Sequence, residues 1–217
     1  MEQIMADYNT ETINAVARVM ADSFMEDPMN RAVLDGLEKA GKLMEAHSRI
    51  HTRHAIRTGM LQLLDDNPAA FLIGLDSRDA SRLDDWKLIL RIYLSSVGVL
   101  GFRDIRRLLS NSRKTGSVLS FSWEKEFIKG RYYRIKIVAV DKSMRGQGAF
   151  RRMMTPLITF SDTEQVPIII ETHNEDNVGL YRKFGFELVK TITSPRTEIS
   201  QYCMIRRPEP QTATESG

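Results

Sequence analysis

The middle of the chain changes from a strand pattern to a helix pattern over a short distance. From Tyr132 to Val140, aromatic and β-branched residues dominate, which favours an extended strand. Beyond the next loop, apolar residues recur at the spacings of one helix face; they are Phe150, Met153, Met154, Leu157 and Ile158. The pattern therefore predicts a strand, a short loop and a helix from Gly148 to Phe160, with Pro156 inside the helix.

Apolar periodicity predicts further helices and strands on both sides of this unit. An N-terminal helix follows a cap at Asn9 or Thr10 and ends at Asp27-Pro28. Helical patterns also cover 29–59 with an interruption near Gly36, then 79–127, and finally 176–184. Strands are predicted over 60–64, 69–75, 166–172, 186–192 and 198–205, and residues 1–8 are compatible with a first edge strand. The first two form a hairpin around the turn signal Asp65-Asp66-Asn67-Pro68.

The loop from Arg145 to Phe150 joins the central strand to its helix and contains two glycines. The first N–H groups of a helix lack intrahelical partners, and the helix dipole places partial positive charge there. Gly146 and Gly148 let a ligand approach the backbone closely, while Arg145 adds formal charge. The loop therefore has the properties of a phosphate or pyrophosphate site, although a short glycine pattern alone also fits an ordinary turn.

A second group of residues follows the next predicted strand and completes a pair of motifs. The motifs are Arg145-x-x-Gly148 and Asn174-x-x-Asn177-x-x-x-Tyr181-x-x-x-Gly185-Phe186. In this order and at this spacing they resemble the GNAT acetyltransferase superfamily, over roughly residues 130–190. The family pattern for the first motif is Gln/Arg-x-x-Gly-x-Gly/Ala, so Phe150 stands where a small residue is usual. The proline common before the loop is missing, and Lys142 stands near its place.

The resemblance implies an α/β fold with a GNAT-type mixed central sheet, flanked by helices, whose central strands splay apart. Residues 1–207 are expected to form a single acyltransferase domain. The helical pattern of 79–127 is then an insertion before the cofactor-binding strand, and in such folds these variable helices often wall the acceptor side. Residues 208–217 are polar and proline-bearing, which predicts a disordered tail.

The resemblance also implies acetyl-CoA as cosubstrate and direct transfer of the acetyl group to a primary amine of a small molecule or peptide. In the family, the pantetheine arm bonds to exposed strand backbone, here near Val138 and Val140, and a strand N–H such as that of Val138 stabilises the tetrahedral intermediate. Arg151 is expected to be a further contact for the nucleotide phosphates. The loop residues expected to bind the pyrophosphate are Arg145, Gly146, Gln147, Gly148, Ala149 and Phe150.

Two residues of the second motif match family positions that act on the cosubstrate. Asn177 matches an asparagine that contacts the pantetheine arm; the alternative is a residue that only caps the helix. Tyr181 matches a tyrosine whose hydroxyl lies near the CoA sulfur, where a phenol can donate a proton to the departing thiolate. Its alternative is a core tyrosine with the hydroxyl bonded to backbone.

The attacking amine must be neutral, so a base or a water chain is needed. Glu171 ends the strand beside the expected gap and is the leading candidate, against the alternative of a solvent-facing carboxylate. Weaker candidates for the same role are Glu124, Glu126 and His173.

Two further clusters of polar residues have a simpler interpretation. His47, His51 and His54 share one helical face, a spacing that can bind zinc, but arginines surround them and no cysteine accompanies them. We expect a partly buried or acceptor-lining face and no metal. A basic group is interpreted as a solvated helix face, with nucleic-acid binding as an alternative function; it comprises Arg103, Arg106, Arg107, Arg113 and Lys114.

Composition adds limits to this picture. The net charge of +3 is slight, so no nucleic-acid partner is expected. Cys203 is the single cysteine, which excludes an intrachain disulfide framework and fits a reducing compartment. No signal-peptide pattern opens the chain, and no apolar run approaches the roughly 18 residues of a membrane span. We therefore expect a cytoplasmic N-acetyltransferase, with homodimerisation as an option. The alternative is a catalytically weak CoA-binding or interaction module with the same fold.

Overall fold

The computed structural model describes residues 8–210, and the chain in this range forms a mixed α/β fold. Its helices are α1 (Thr10–Glu26), α2 (Pro28–Leu34), α3 (Ala40–Arg57), α4 (Arg82–Val99), α5 (Phe102–Thr115), α6 (Ala149–Glu164) and α7 (Glu175–Arg182). Its strands are β1 (Leu61–Leu64), β2 (Asn67–Asp76), β3 (Tyr133–Val140), β4 (Ile168–Thr172), β5 (Glu187–Ser194) and β6 (Thr197–Arg206). The expected edge strand at 1–8 lies outside the described residues except for Tyr8, as do residues 211–217 of the expected tail.

The strands form one six-stranded sheet in the order β1-β2-β3-β4-β6-β5. Only β3 and β4 are parallel, because the helix α6 connects them, and every other neighbouring pair is antiparallel. The predicted hairpin of β1 and β2 is confirmed, but its turn is shorter than predicted. Asp65 and Asp66 alone form it, both with positive φ, as a two-residue turn between twisted strands requires. Asn67 and Pro68 already belong to β2.

Helices cover both faces of the sheet and divide its core in two. One cluster joins the sheet to α6 and α7 through residues such as Ile135, Met154, Ile170, Tyr181 and Met204. The other joins it to α1 and α3 through residues such as Val16, Met20, Ala55, Phe71 and Ala139. Because side chains alternate along a strand, neighbouring residues of β3 and β4 contribute to opposite faces.

Strand β3 contains one residue more than its neighbour β2 can pair. Ile73 of β2 pairs with Ile137, but the next residue, Gly74, pairs with Ile135, so Lys136 is the extra residue of a bulge. A bulge bends the strand and increases its local twist. The alternation of side chains is also shifted, which places Ile135 and Ile137 on different faces of the sheet.

The two central strands diverge directly after this bulge. Parallel pairing of β3 with β4 ends at Ile135 and Ile170. Both strands nevertheless continue, β3 to Val140 and β4 to Thr172, each still paired with its outer neighbour. The predicted splay of the central strands is therefore confirmed, and a gap opens between the two halves of the sheet.

The predicted helical insertion between β2 and β3 is also confirmed. Ser81 caps α4 by accepting a hydrogen bond from the Asp84 N–H, and Leu100 and Gly101 separate α4 from α5. After α5 the chain is held to the sheet by the buried side chain of Gln201. Its amide accepts from the Ser120 N–H at 2.9 Å and donates to the Ser120 carbonyl at 3.0 Å. Among the helices of residues 8–210, none combines the length and the apolar character needed to span a bilayer.

Candidate active site

A cleft of about 570 Å³ lies at the gap between β3 and β4. Its lining includes the second half of β3, from Val138 to Val140, and Tyr181 on α7. The loop after β3 and the first turn of α6 close one side, through Arg145, Gly146, Gly148, Ala149 and Phe150. The opposite wall is the end of α1, with Ser23, Phe24, Glu26 and Asp27, and the start of α7 adds Asn174, Asn177 and Leu180.

The loop end of the cleft exposes backbone donors. Gly146 and Gly148 have φ of +77° and +74°, a region that side chains other than glycine rarely adopt. Gly148 is also the N-cap of α6, and no side chain accepts a hydrogen bond there. The first N–H groups of α6 therefore remain available to a ligand at the positive end of the helix dipole.

Charged side chains at the rim of this loop are paired with each other. Glu26 at the end of α1 forms ion pairs with Lys142 at 2.5 Å and with Arg145 at 3.2 Å. Hydrogen bonds from these two cations lower the pKa of Glu26. The Arg145 guanidinium also lies 3.4 Å from the Val140 carbonyl. The loop is thus tied to α1 by exposed ion pairs, which a strongly anionic ligand can displace because such pairs are individually weak.

Phe150 is accommodated by an aromatic cluster rather than by the loop. Its ring centre lies 5.0 Å from that of Phe184 and 6.0 Å from that of Tyr181. Tyr181 in turn lies 5.9 Å from Phe186. The bulk of Phe150 is therefore turned onto α7, and the aromatic contacts fix the ring of Tyr181 at the end of the cleft.

The phenol of Tyr181 is buried yet unengaged. Burial, reinforced by the charge of Asp27, raises its pKa, so the hydroxyl keeps its proton near neutral pH. No hydrogen bond to this hydroxyl is found among residues 8–210. The alternative interpretation, a core tyrosine bonded to backbone, is thus not what this part of the chain shows. A protonated donor facing a cleft can protonate or hydrogen-bond a leaving group.

Asn177 also faces the cleft and does not cap its helix. The cap of α7 is Asn174, whose side chain accepts from the Asp176 N–H at 3.0 Å. The Asn177 amide instead donates to the Thr172 hydroxyl at 3.2 Å, at the end of β4. Its amide is therefore held against the edge of the gap, in a position to contact a ligand there.

Comparison with protein families identifies the arrangement. A model described as the acetyltransferase (GNAT) family matches residues 96–186, which contain β3, the glycine loop, α6, β4 and α7. Over these residues the chain is similar to the GNAT acetyltransferase family.

Similar proteins extend the match along most of the chain. An uncharacterised N-acetyltransferase of Schizosaccharomyces pombe is 26% identical over 214 residues, which cover 93% of this chain and 82% of the relative. A Corynebacterium glutamicum structure, described as histone acetyltransferase HPA2 and related acetyltransferase, gives a TM-score of 0.57 at 15% identity and covers 94% of this chain and 96% of its own. Arylalkylamine N-acetyltransferase 2 of Aedes aegypti gives 0.54 at 13% identity and covers 92% and 96%. At these identities the two structures support the fold alone.

Glu171 lies on the opposite face of the sheet from Tyr181. It accepts a hydrogen bond from the Trp123 indole at 2.7 Å and forms an ion pair with Arg134. Arg134 also pairs with the buried carboxylate of Glu124 at 2.8 Å. Burial raises the pKa of Glu171, and the charge of Arg134 opposes that rise. Glu171 is therefore a partnered carboxylate behind the gap and does not line the cleft.

Two other predicted cofactor residues lie outside the cleft lining. The Arg151 guanidinium is placed 5.7 Å from the ring centre of Phe184. The Gln147 amide donates to the Ser143 carbonyl at 2.6 Å. The structure thus brings nine of the predicted site positions to the cleft and leaves Gln147, Arg151 and Glu171 beside it; the nine are Val138, Val140, Arg145, Gly146, Gly148, Ala149, Phe150, Asn177 and Tyr181.

The sequence motifs did not predict the wall formed by the end of α1. The only local signal is Asp27-Pro28, which marks a helix boundary but not the element that faces it. Asp27 caps α2 through the Asn30 N–H at 3.0 Å and carries charge into the cleft. Nearby, burial lowers the pKa of His173 and the charge of Asp27 opposes this. The Nε2 atom of His173 is buried, and no hydrogen-bond partner for it is found in the described range.

Two of the three histidines on the predicted helical face have hydrogen-bond partners in this range. His47 lies 3.0 Å from the Ser96 hydroxyl of α4, and His54 lies 3.4 Å from Arg57. Among residues 8–210, no group of three or more histidine, cysteine, aspartate or glutamate side chains is arranged to hold a metal. Cys203 is buried in β6, and burial raises its thiol pKa to about 12, which disfavours the thiolate.

Proposed function

We propose that this chain transfers an acetyl group from acetyl-CoA directly to a primary amine of a small molecule or peptide. The observation that supports this most is the continuity of the cleft. Gly146 and Gly148 of the loop and Tyr181, whose phenol is protonated, line one and the same cleft. A thioester cosubstrate with a pyrophosphate at one end and an acyl group at the other needs both features, at opposite ends of one channel.

The residues present fit such a cosubstrate. The N–H groups of the loop from Arg145 to Phe150 would hold the pyrophosphate, where the helix dipole favours negative charge. The free edge of β3 at Val138 and Val140, with the Asn177 amide across the gap, offers polar groups for the amides of a pantetheine arm. Acetyl-CoA, when bound, supplies the activated acyl group.

The chain's own residues would then complete the transfer. A backbone N–H of β3 such as that of Val138 would stabilise the negative charge on the carbonyl oxygen. Tyr181 would donate its proton to the leaving sulfur. Because burial raises its pKa, the phenol is protonated before transfer and is a donor rather than a base at neutral pH.

The amine proton has two candidate acceptors on this chain. Glu171 has a raised pKa, which brings a carboxylate closer to the range of a general base, but Trp123 and Arg134 hold it behind the gap. His173 has a lowered pKa because of burial and is neutral at pH 7, and its buried Nε2 has no hydrogen-bond partner among residues 8–210. Glu171 remains our prediction from its position at the strand end, and His173 is its competitor. The variants Glu171→Gln and His173→Gln separate them through loss of the acidic limb of the pH–rate profile.

A direct test begins with binding. Acetyl-CoA at about 100 times its dissociation constant should add roughly 2.7 kcal/mol to the free energy of unfolding, which thermal melting detects. A panel of amines with release of free thiol as readout then tests transfer. If millimolar acetyl-CoA neither binds by calorimetry nor shifts the melting temperature, the proposal is wrong.

The alternative is a CoA-binding module with weak or no catalysis. It is favoured by the engagement of Glu171 with Trp123 and Arg134, which leaves the leading base candidate occupied. Binding of acetyl-CoA without thiol release against any amine, and without thioester hydrolysis above background, would support this alternative over transfer.

A further inference from the structure

Helix α4 carries an exposed apolar seam along its outer face. Five large apolar residues follow the heptad spacing of a helix that packs against another helix; they are Leu83, Trp86, Leu90, Tyr93 and Val97. Ile89 and Leu94 flank this α4 seam. All seven side chains are between 43% and 73% exposed. The seam runs the length of an 18-residue helix, about 27 Å.

The seam is exposed in a helix whose orientation is held by contacts, because the opposite face of α4 packs against α3 and β3. The Ser96 hydroxyl lies 3.0 Å from His47 of α3, and Lys136 of β3 pairs with Asp85 at 3.2 Å. Leu88 and Ile92 are partly buried on the same inner side. Rotation of α4 to bury its seam would therefore break existing contacts with α3 and β3.

The area of the seam matches what one partner contributes to a stable complex. Seven large side chains that are about half exposed present on the order of 800 Å², which is about one partner's share of a standard interface. The largest apolar patch of a typical monomer is about 300–600 Å². The seam therefore exceeds what a lone chain usually leaves uncovered.

We propose that the α4 seam is a homodimer interface in which α4 packs antiparallel against α4 of a second copy. Trp86, the largest residue of the seam, lies in the first half of the helix, and Val97, the smallest, lies in the second half. An antiparallel pair that crosses near Arg91 places Trp86 opposite Val97 and Leu90 opposite Tyr93, so each large residue meets a smaller or flat one. Gly98 and Gly101 leave open space at the end of the helix for this approach.

Charge supports the same arrangement. All acidic and basic residues of α4 lie between Arg82 and Arg91, and no charged residue follows up to Val99. A parallel pair would place the Asp84 and Asp85 carboxylates of both copies side by side, whereas an antiparallel pair lays them along the uncharged half of the partner. Helix α4 carries three basic and two acidic residues, so an anionic bilayer gains little attraction there compared with a second copy.

The oligomeric state of the full chain tests the proposal. Sedimentation velocity and light scattering from about 1 to 100 µM should show a dimer. Tyr93→Glu places a charge at the crossing point in both copies and should raise the dissociation constant at least about 100-fold. Tyr93 is 57% exposed within one chain, so the variant should keep the circular dichroism spectrum of the wild type. Leu109→Glu on α5, which is equally exposed but off the seam, is the control and should remain a dimer.

Engineered cysteines test the orientation. Trp86→Cys combined with Val97→Cys should form intermolecular disulfides, while Val97→Cys alone should not, because only a parallel pair brings two copies of that position within about 7 Å. Native Cys203 is buried and does not compete. A monomer at 100 µM, a dimer that survives Tyr93→Glu, or disulfides from Val97→Cys alone would each overturn the proposal. So would a monomer that binds vesicles of anionic phospholipid through the seam.

Discussion

The substitution Tyr181→Phe tests the proposed proton donor with little disturbance of the fold. It removes one hydroxyl and keeps the ring, whose contacts with Phe150 and Phe186 hold its position. Because no hydrogen bond to that hydroxyl is found in the described range, the free energy of unfolding should change by less than about 1 kcal/mol. The proposed effect therefore falls on transfer alone.

The size of the effect follows from the bond that would be lost. A hydrogen bond to a charged group contributes about 1.5–3 kcal/mol, which corresponds to about a 10- to 150-fold loss of turnover. Affinity for acetyl-CoA should stay within about two-fold, because the bond forms only as the thiolate leaves. Thiol release gives the turnover, and titration calorimetry gives the affinity.

Tyr133→Phe is the matched control, since Tyr133 belongs to the same core cluster. Its hydroxyl accepts a hydrogen bond from Gln62 at 2.9 Å and lies away from the cleft. This variant should lose about 1 kcal/mol of stability and keep full turnover. Unchanged turnover in Tyr181→Phe, or a loss of cosubstrate affinity as large as the loss of turnover, would refute the proton-donor role.

Three further outcomes are expected from the geometry. Gly148→Ala forces a side chain into a left-handed backbone at the loop, so it should cost about 1–2 kcal/mol of stability and weaken acetyl-CoA binding in calorimetry. Arg134→Gln leaves the carboxylates of Glu124 and Glu171 without their cation and should cost about 3 kcal/mol in urea unfolding at pH 7. Burial lowers the pKa of His51 to about 4, so the folded state binds fewer protons than the unfolded state between pH 6.5 and 4. The free energy of unfolding of the wild type should therefore fall as the pH drops through that window. In His51→Gln the fall over the same window should be about 3 kcal/mol smaller than in the wild type.

Each of these has a control on the same chain. Gly41→Ala lies on an exposed helix face with ordinary backbone and should be neutral or stabilising. Lys136→Gln removes an exposed ion pair with Asp85 and should cost under about 1 kcal/mol. A pH dependence in His51→Gln equal to that of the wild type would assign the acid loss to His47, His54 or another group.

The local pattern of the sequence predicted most elements, because their signals are short in range. The change from strand to helix at Arg145 to Phe150 and the cap region of α7 depend on a few neighbouring residues. The observed boundaries differ from the predicted ones where pairing between strands sets them. Asn67 and Pro68 were predicted in a turn but belong to β2, where Asn67 pairs with Leu64. Helix α6 also continues through Pro156 to Glu164, beyond the predicted end.

The candidate site was predicted where a motif carries it and was missed where the fold assembles it. Gly146, Gly148 and Tyr181 come from motifs in one stretch of chain. The wall at Phe24 and Asp27 comes from the end of a helix more than a hundred residues away in the sequence. The apolar pattern of that helix predicts the helix itself but not which cleft its end lines. The face on which Glu171 lies depends on its place in the strand alternation of β4, and its partners Trp123 and Arg134 come from other elements.

The bulge at Lys136 has a consequence for engineering and for divergence among relatives. The gap between β3 and β4 begins where β3 has one residue more than β2 can pair. The gap therefore depends on the number of residues in β3 rather than on which side chains they carry. Point substitutions along the gap should tune what enters it without closing it. Deletion of Lys136 alone would make Ile135 and Ile137 adjacent in regular alternation, leave Val138 and Val140 on their present face, and remove the bend, so that β3 could pair with β4 beyond Ile135.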